Sequence, residues 1–292
     1  MEQRTIIELL EFSILNIDKP SGPTSFDISD FVRKKLKDAG IDMRKTSHFG
    51  TLDPKVTGVL PIALNRACKL TGFFLGHDKE YIGIMRIHEE KSIKEIQEII
   101  NKKFLGKIKQ TPPVKSRVKR QEREREIKKF EILEQNGKDF LFVAEVEGGT
   151  YIRKLIDDLG KEIGVGAHML ELRRIRAGIF SEMDSNFINL YDFEKAVDLY
   201  LKEKDEKPLR NILIPAEEIL KKVFPVVEIK KECIKNLLTG KPALENNIVN
   251  QKKFNKNERI IIFCEDKFIG IYNVVNENKV FAKPEFVLQP IK

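Results

Sequence analysis

The chain has 292 residues, enough for one large core and a smaller second one, and carries 53 lysines and arginines against 45 aspartates and glutamates, a formal net charge of +8. That excess raises affinity for phosphate backbones, which makes nucleic acid a candidate partner and an anionic membrane surface its competitor. No run approaches the ~20 apolar residues that span a bilayer, and Met1 to Glu11 lacks the basic-then-apolar order of a secretory signal, so an intracellular, cytoplasmic location is expected.

Phe12 to Ile17 reads as a strand, and Asp18 to Pro23 as the turn after it. Thr24 or Ser25 then caps a helix with Ile28, Phe31, Val32 and Leu36 at helical spacing, stopped by Gly40. Val59 to Leu64 is apolar enough for a buried strand, Asn65 can cap a helix towards Phe73, and Tyr81 to Ile87 reads as the next strand. Ser92-Ile93-Lys94-Glu95 is a capping box opening an amphipathic helix through Ile96, Ile99, Ile100 and Phe104.

From Lys107 to Lys129 ten basic residues (Lys107, Lys109, Lys115, Arg117, Lys119, Arg120, Arg123, Arg125, Lys128, Lys129) face three acidic ones, and Pro112-Pro113 excludes a helix through the middle. This run is either a solvated, charge-alternating loop or a mobile arm that wraps a phosphate backbone. Phe130 to Leu133 and Phe140 to Val146 flank Asn136-Gly137, a hairpin signal. Thr150 to Arg153 opens a helix to Gly160, which puts Tyr151 and Arg153 at a strand-to-helix junction. His168 to Arg176 is a second very basic segment, with Leu170, Leu172 and Ile175 as its apolar positions.

Helices are expected over Asp192 to Leu201 and Ile214 to Lys222, with polar Lys202 to Lys207 between them. Beyond Pro225 the rhythm shortens: strands at Val226 to Ile229, Arg259 to Cys264, Lys267 to Val274 and Lys279 to Ala282, and a helical turn at Ile234 to Leu238. Such spacing fits a small β-barrel, with a domain boundary near residue 222.

Cys68, Cys233 and Cys264 stand far apart, and His48, His77, His88 and His168 form no ligand pattern, so metal and disulfide frameworks are not expected. Gly164, Gly166 and Ala167 lack the third glycine of a dinucleotide loop, and no phosphate-binding loop occurs. The stretch with most chemical potential is Ser47 to Gly58. Gly50 and Gly58 bracket it with permissive backbone, and Pro54 restricts Asp53. Asp53 is either a turn carboxylate capping backbone N–H groups or a positioned nucleophile or base.

Several segments in order together resemble the TruB-type pseudouridine synthases. These are Asp18 to Ser25, the Gly50 to Gly58 loop, Lys79-Glu80-Tyr81, Gly149 to Arg153, and Ala167 to Met169 through Leu172 to Arg176. The region Gln110-Thr111-Pro112-Pro113 through Arg125 is similar to the dyskerin-like branch, the catalytic subunits of box H/ACA ribonucleoproteins. The resemblance implies a mixed α/β (α+β) catalytic domain over 12–222, its central mixed or antiparallel sheet flanked by helices. It also implies a PUA-like RNA-binding barrel over 223–292, signalled by Thr239-Gly240-Lys241, on which Met1 to Glu11 would pack.

The same resemblance implies an isomerase that converts uridine to pseudouridine in rRNA or tRNA without metal or organic cofactor. Asp53 would attack C1′ or assist elimination, Arg153 would pair with it, and Tyr81 would stack on the flipped uracil and move a proton. Tyr151 and Leu172 would wall the pocket, Lys19 would support the loop, and His48 would lie beside the RNA. Read without the resemblance, Tyr81 is a strand aromatic of the core, Leu172 helix packing and Arg153 a surface ion pair. The dyskerin-like branch implies a guide RNA, small Nop-type and Gar-type proteins and a kink-turn binding protein; the alternatives are a stand-alone tRNA T-loop enzyme and a non-catalytic RNA scaffold. Phe49 departs from the small polar residue usual in the family loop, a change expected to be tolerated.

Overall fold

The computed structural model describes residues 4–112, 120–249 and 253–289. Lys115, Arg117, Lys119 and Pro113 of the basic run, and the start of Met1 to Glu11, lie outside these residues. The chain divides into two compact units, Met1–Leu213 and Ile214–Lys292.

In the first unit, helix α1 (Ile6–Glu11) closes on a capping box between Thr5 and Glu8 and sends Ile6 and Leu10 into this unit's core. Strand β1 (Ser13–Lys19) leads to helix α2 (Ser25–Asp38), which Thr24 caps by accepting the Asp27 N–H, and Ile28, Val32 and Leu36 form its buried stripe. Short β2 (Thr46–His48) and long β3 (Thr57–Leu64) follow. After β3 comes a 3-10 turn, Asn65–Leu70, and helix α3 (Thr71–Phe74), not the single capped helix expected. Asn65 takes φ +43 and its side-chain Oδ1 accepts the Arg44 backbone N–H at 2.8 Å, so it serves the preceding loop instead of a helix start.

Strand β4 (Lys79–Ile87) and helix α4 (Ile93–Lys103), the latter with its Ser92 capping box, form as expected. The basic run differs. Its two ends are strands β5 (Gly106–Gln110) and β6 (Arg123–Asn136), paired antiparallel. Alternating charge is compatible with an exposed strand pair because opposite charges meet across the ladder, as in Lys107 to Glu124 at 2.9 Å and Lys109 to Glu122 at 3.3 Å. A tight turn at Gly137 joins β6 to β7 (Asp139–Val146). Helix α5 (Ile152–Ile163) ends at left-handed Gly164. Strand β8 (Ala167–Ala177) takes up the second basic segment, followed by β9 (Phe180–Ser181), β10 (Phe187–Asn189), α6 (Leu190–Glu203) and α7 (Lys207–Ile212).

The sheet runs in the order β10-β1-β3-β8-β4-β7-β6-β5, with β2 added on β3 and β9 on β8. Most pairs are antiparallel, while β1 with β10 and β3 with β8 are parallel. It is a mixed sheet with helices packed against it, as expected.

The second unit carries β11 (Ile214–Pro215), α8 (Ala216–Val223), β12 (Val226–Glu228), α9 (Ile234–Leu238), β13 (Ala243–Leu244), β14 (Arg259–Cys264), β15 (Lys267–Glu277) and β16 (Val280–Val287). Five of these strands pair in the order β12-β14-β15-β16-β13. Register shifts in β14, β15 and β16 curl this sheet, a half-barrel consistent with a PUA-like module. Its core is closed by Tyr272, whose hydroxyl donates to the Leu237 carbonyl at 3.3 Å and which burial pushes up to about 12. Among the described residues no helix is long and apolar enough to cross a membrane.

Candidate active site

Strands β3 and β8 pair only at Thr57 with Arg173 and Gly58 with Arg174. Beyond that point β3 takes β2 as its partner, from His48 opposite Ile62 to Thr46 opposite Leu64, and the sheet opens. Close approach at the crossing requires Gly58: its φ is +99, and a Cβ there would stand 2.2 Å from the Arg174 carbonyl oxygen. Phe49, at the head of the loop between β2 and β3, is buried against Phe74 (ring centroids 4.8 Å, stacked) and Phe180 (6.0 Å). Such a ring fits here because three aromatic residues from separate segments share one site.

The loop from Gly50 to Val56 is fastened along its backbone. Arg174, wholly buried, donates to the Gly50 carbonyl at 3.0 Å and to the Val59 carbonyl at 2.8 Å. Ser25 accepts the Leu52 N–H at 2.8 Å and returns its hydroxyl proton to the Leu52 carbonyl at 3.0 Å. Lys19 directs its ammonium at the carbonyls of Pro20 (2.9 Å), Pro54 (3.0 Å) and Val56 (2.9 Å), so each of its three protons has an acceptor. Burial lowers the Lys19 ammonium below its usual range, and the Asp53 charge opposes that shift.

Held in this way, Asp53 presents its carboxylate outward, 54% exposed, to the Arg153 guanidinium at 2.9 Å. Arg153 rises from the first turn of α5. Tyr151, the residue that caps this helix, is half-buried just before it. Tyr81 is buried on β4 opposite Arg174 on β8. Leu172 sits two residues ahead of Arg174 on the same strand, in the apolar cluster that also holds Tyr81, Leu52, Val56 and Ile152. Leu172 therefore packs from a strand, not a helix. His48 bonds Ser29 through Nδ1 and Thr51 through Nε2, each at 3.2 Å; burial, then the Arg174 charge, lowers its pKa and keeps the ring neutral near pH 7.

Of the residues singled out from the sequence, Asp53 and Arg153 meet directly, Lys19 grips the loop beneath them, and Tyr81 lies opposite Arg174, which holds the same loop. Three residues were missed in this role: Arg174, Lys79 and Ser25. Lys79 is buried beside Arg174, and its ammonium donates to the carbonyls of Leu75 (3.0 Å) and His77 (2.6 Å). Burial first, and then the Arg174 charge, pulls Lys79 down to about 8. The signal for Arg174 was present but hidden among like neighbours. Arg173 pairs with Asp18 at 3.0 Å and Glu182 at 2.8 Å, and Arg176 with Glu145 at 2.7 Å, so this segment is a neutralised central strand and not an open basic face.

The mixed sheet thus opens between β3 and β8 beside the Asp53 loop, and the Asp53 carboxylate is met by a guanidinium from the helix next to it. The chain belongs to the TruB family: residues 37–152 match the TruB family pseudouridylate synthase N-terminal domain, and residues 153–221 match the tRNA pseudouridylate synthase B C-terminal domain. It is thus an isomerase that acts on RNA. The probable tRNA pseudouridine synthase B of Methanopyrus kandleri is 41% identical over 86% of this chain and 72% of the relative. That of Nanoarchaeum equitans is 45% identical over 75% of this chain and 60% of the relative. Among solved structures, the Cbf5 chain of a Cbf5-Nop10-Gar1 complex superposes with TM-score 0.87 at 33% identity, covering 98% of this chain and 88% of that one. An H/ACA ribonucleoprotein bound to a substrate RNA containing 2′-deoxyuridine matches with TM-score 0.86 at 31% identity, covering 98% of this chain and 88% of that one.

Proposed function

We propose that the protein isomerises uridine to pseudouridine with Asp53 as its catalytic carboxylate, in an RNA selected by a box H/ACA guide. The observation that carries the catalytic assignment is the Arg153–Asp53 pair at 2.9 Å, on a loop whose carbonyls are fastened by Lys19 and Arg174. The reaction breaks N1–C1′, turns the uracil and forms C5–C1′; the proton lost from C5 balances the one gained at N1. An ionised Asp53 is needed whether it attacks C1′ or assists elimination, and the Arg153 guanidinium meets that carboxylate at 2.9 Å.

Tyr81 then stacks on the flipped base and moves a proton, while Tyr151 and Leu172 wall the pocket and keep water from a cleaved sugar intermediate. Lys19 supports the loop and His48 stands beside the RNA. Residues 12–222 form the catalytic domain and 223–292 a PUA-like RNA-binding domain. The guided reading is supported by the likeness to Cbf5 chains along 98% of this chain. It brings a guide RNA, Nop-type and Gar-type proteins and a kink-turn binding protein as partners. A stand-alone tRNA T-loop enzyme is the second reading, favoured by the tRNA pseudouridine synthase B name that the relatives carry.

The test is to incubate the protein alone with tRNA, then with guide RNA and partner proteins, and map pseudouridine at single-nucleotide resolution. Asp53→Asn is the control. Conversion only in the assembled particle, lost in Asp53→Asn, is expected; conversion of tRNA by the protein alone would transfer the assignment to the stand-alone enzyme. Silence of the wild type in both settings would leave an RNA scaffold.

A further inference from the structure

The chemistry above gives no task to Gln110, which ends β5 opposite Arg123. Its side chain is buried against the start of α5. There Oε1 accepts the Tyr151 N–H at 3.1 Å and Nε2 donates to the Tyr151 carbonyl at 3.3 Å, so one amide satisfies both backbone groups of a single residue. Tyr151 is the N-cap of α5, and its own side chain makes no capping bond. Its carbonyl also accepts the Leu155 N–H at 2.9 Å, the first bond of the helix. The chain before it is equally confined: a Cβ on Gly148 would come within 2.5 Å of the Leu75 carbonyl oxygen.

Arg153 follows two residues later. Its guanidinium and the Asp53 carboxylate are 62% and 54% exposed, and an ion pair so exposed contributes little. That is too little to hold a long side chain in one orientation against its own rotamer freedom. The direction of Arg153 must therefore come from the backbone that carries it.

We infer that Gln110 is a positioning residue for the Arg153–Asp53 pair, acting through the Tyr151 backbone and tying the β5–β6 hairpin to the catalytic end of α5. The inference rests on Asp53 and Arg153 being the catalytic pair. Gln110→Met keeps the length and removes both hydrogen bonds. In single-turnover conversion of the RNA that the wild type modifies, this variant should be slower by about 10- to 100-fold, with RNA affinity within about twofold of wild type. In an Arg153→Lys background, where the guanidinium fork is already gone, the same change should cost little more, the coupling expected of residues acting in series.

Gln110→Glu supplies a second readout. Its ionised side chain cannot donate to the Tyr151 carbonyl, whereas the protonated acid can, so its rate relative to wild type should recover as pH falls. Backbone amide exchange at Tyr151 should quicken in Gln110→Met. A wild-type rate in Gln110→Met, or equal losses in the Arg153 and Arg153→Lys backgrounds, with Asp53→Asn inactive, would overturn the inference alone. Retained conversion in Asp53→Asn would overturn the catalytic reading beneath it.

Discussion

The Arg174 guanidinium lies wholly inside the protein and donates to the Gly50 carbonyl at 3.0 Å, three residues ahead of Asp53. The same group holds the Val59 carbonyl at 2.8 Å, so one side chain links the loop and the strand that follows it, directly opposite the buried Tyr81. Burial lowers its pKa from the usual arginine range, but an arginine retains its charge, and the carbonyl dipoles serve as its counterpart. Arg174→Lys should lose the fork and leave at least one acceptor without a donor, at a cost of about 1–3 kcal/mol. Urea unfolding with an unchanged slope checks this, and a midpoint equal to wild type would refute it.

Gly58 tests the crossing of β3 and β8. An alanine there places its Cβ 2.2 Å from backbone at φ +99, so Gly58→Ala should cost at least about 3 kcal/mol. Gly137, at φ +58 with nothing within 4 Å of a built Cβ, is the control. Gly137→Ala should cost only about 1–2 kcal/mol. Equal losses in chemical denaturation would show that close approach is not the constraint at Gly58.

Lys79 gives a pH prediction. Its folded pKa is about 8, against 10.5 ordinarily. Between those values the unfolded chain binds more protons than the folded one, so the contribution of Lys79 to stability rises with pH through that window and is lost as pH falls through 8. Lys79→Met removes this dependence. The gain in unfolding free energy between pH 7.5 and 10 should be smaller in Lys79→Met than in wild type, and parallel profiles would count against the buried ammonium.

Phe49 stands where the family loop usually has a small polar residue. Stacked on Phe74 at 4.8 Å and buried, it fills space that Phe74 and Phe180 cannot close by themselves. Phe49→Ala should lower stability by about 3–5 kcal/mol. A loss below about 1 kcal/mol in thermal unfolding would mean that the neighbouring rings collapse into the gap.

Much of this was legible from local pattern. Thr24 and Ser92 announce their helices because an N-cap side chain meets N–H groups three residues away, with no need of the rest of the fold. The Asn136-Gly137 hairpin and the continuous apolar run from Ile260 to Cys264 are equally local. The basic run was harder: an exposed hairpin lacks apolar alternation, so its ends read as a loop although they pair as β5 and β6. Asn65 looked like a cap, yet its oxygen serves Arg44, on the far side of a loop that sequence distance does not reveal.

Local pattern was enough for the main helices and strands, for the composition of the loop around Asp53 and, through ordered motifs, for the family. Tertiary structure alone decided which of the like-charged residues in Leu172 to Arg176 would be buried. Along β8, Arg173 meets the carboxylates of Asp18 and Glu182, while Arg174 turns inward onto carbonyls of β3 and the loop. The physical reason is that burial of a charge depends on acceptors contributed by strands far apart in the chain, and those acceptors exist only once β3, β4 and β8 lie side by side.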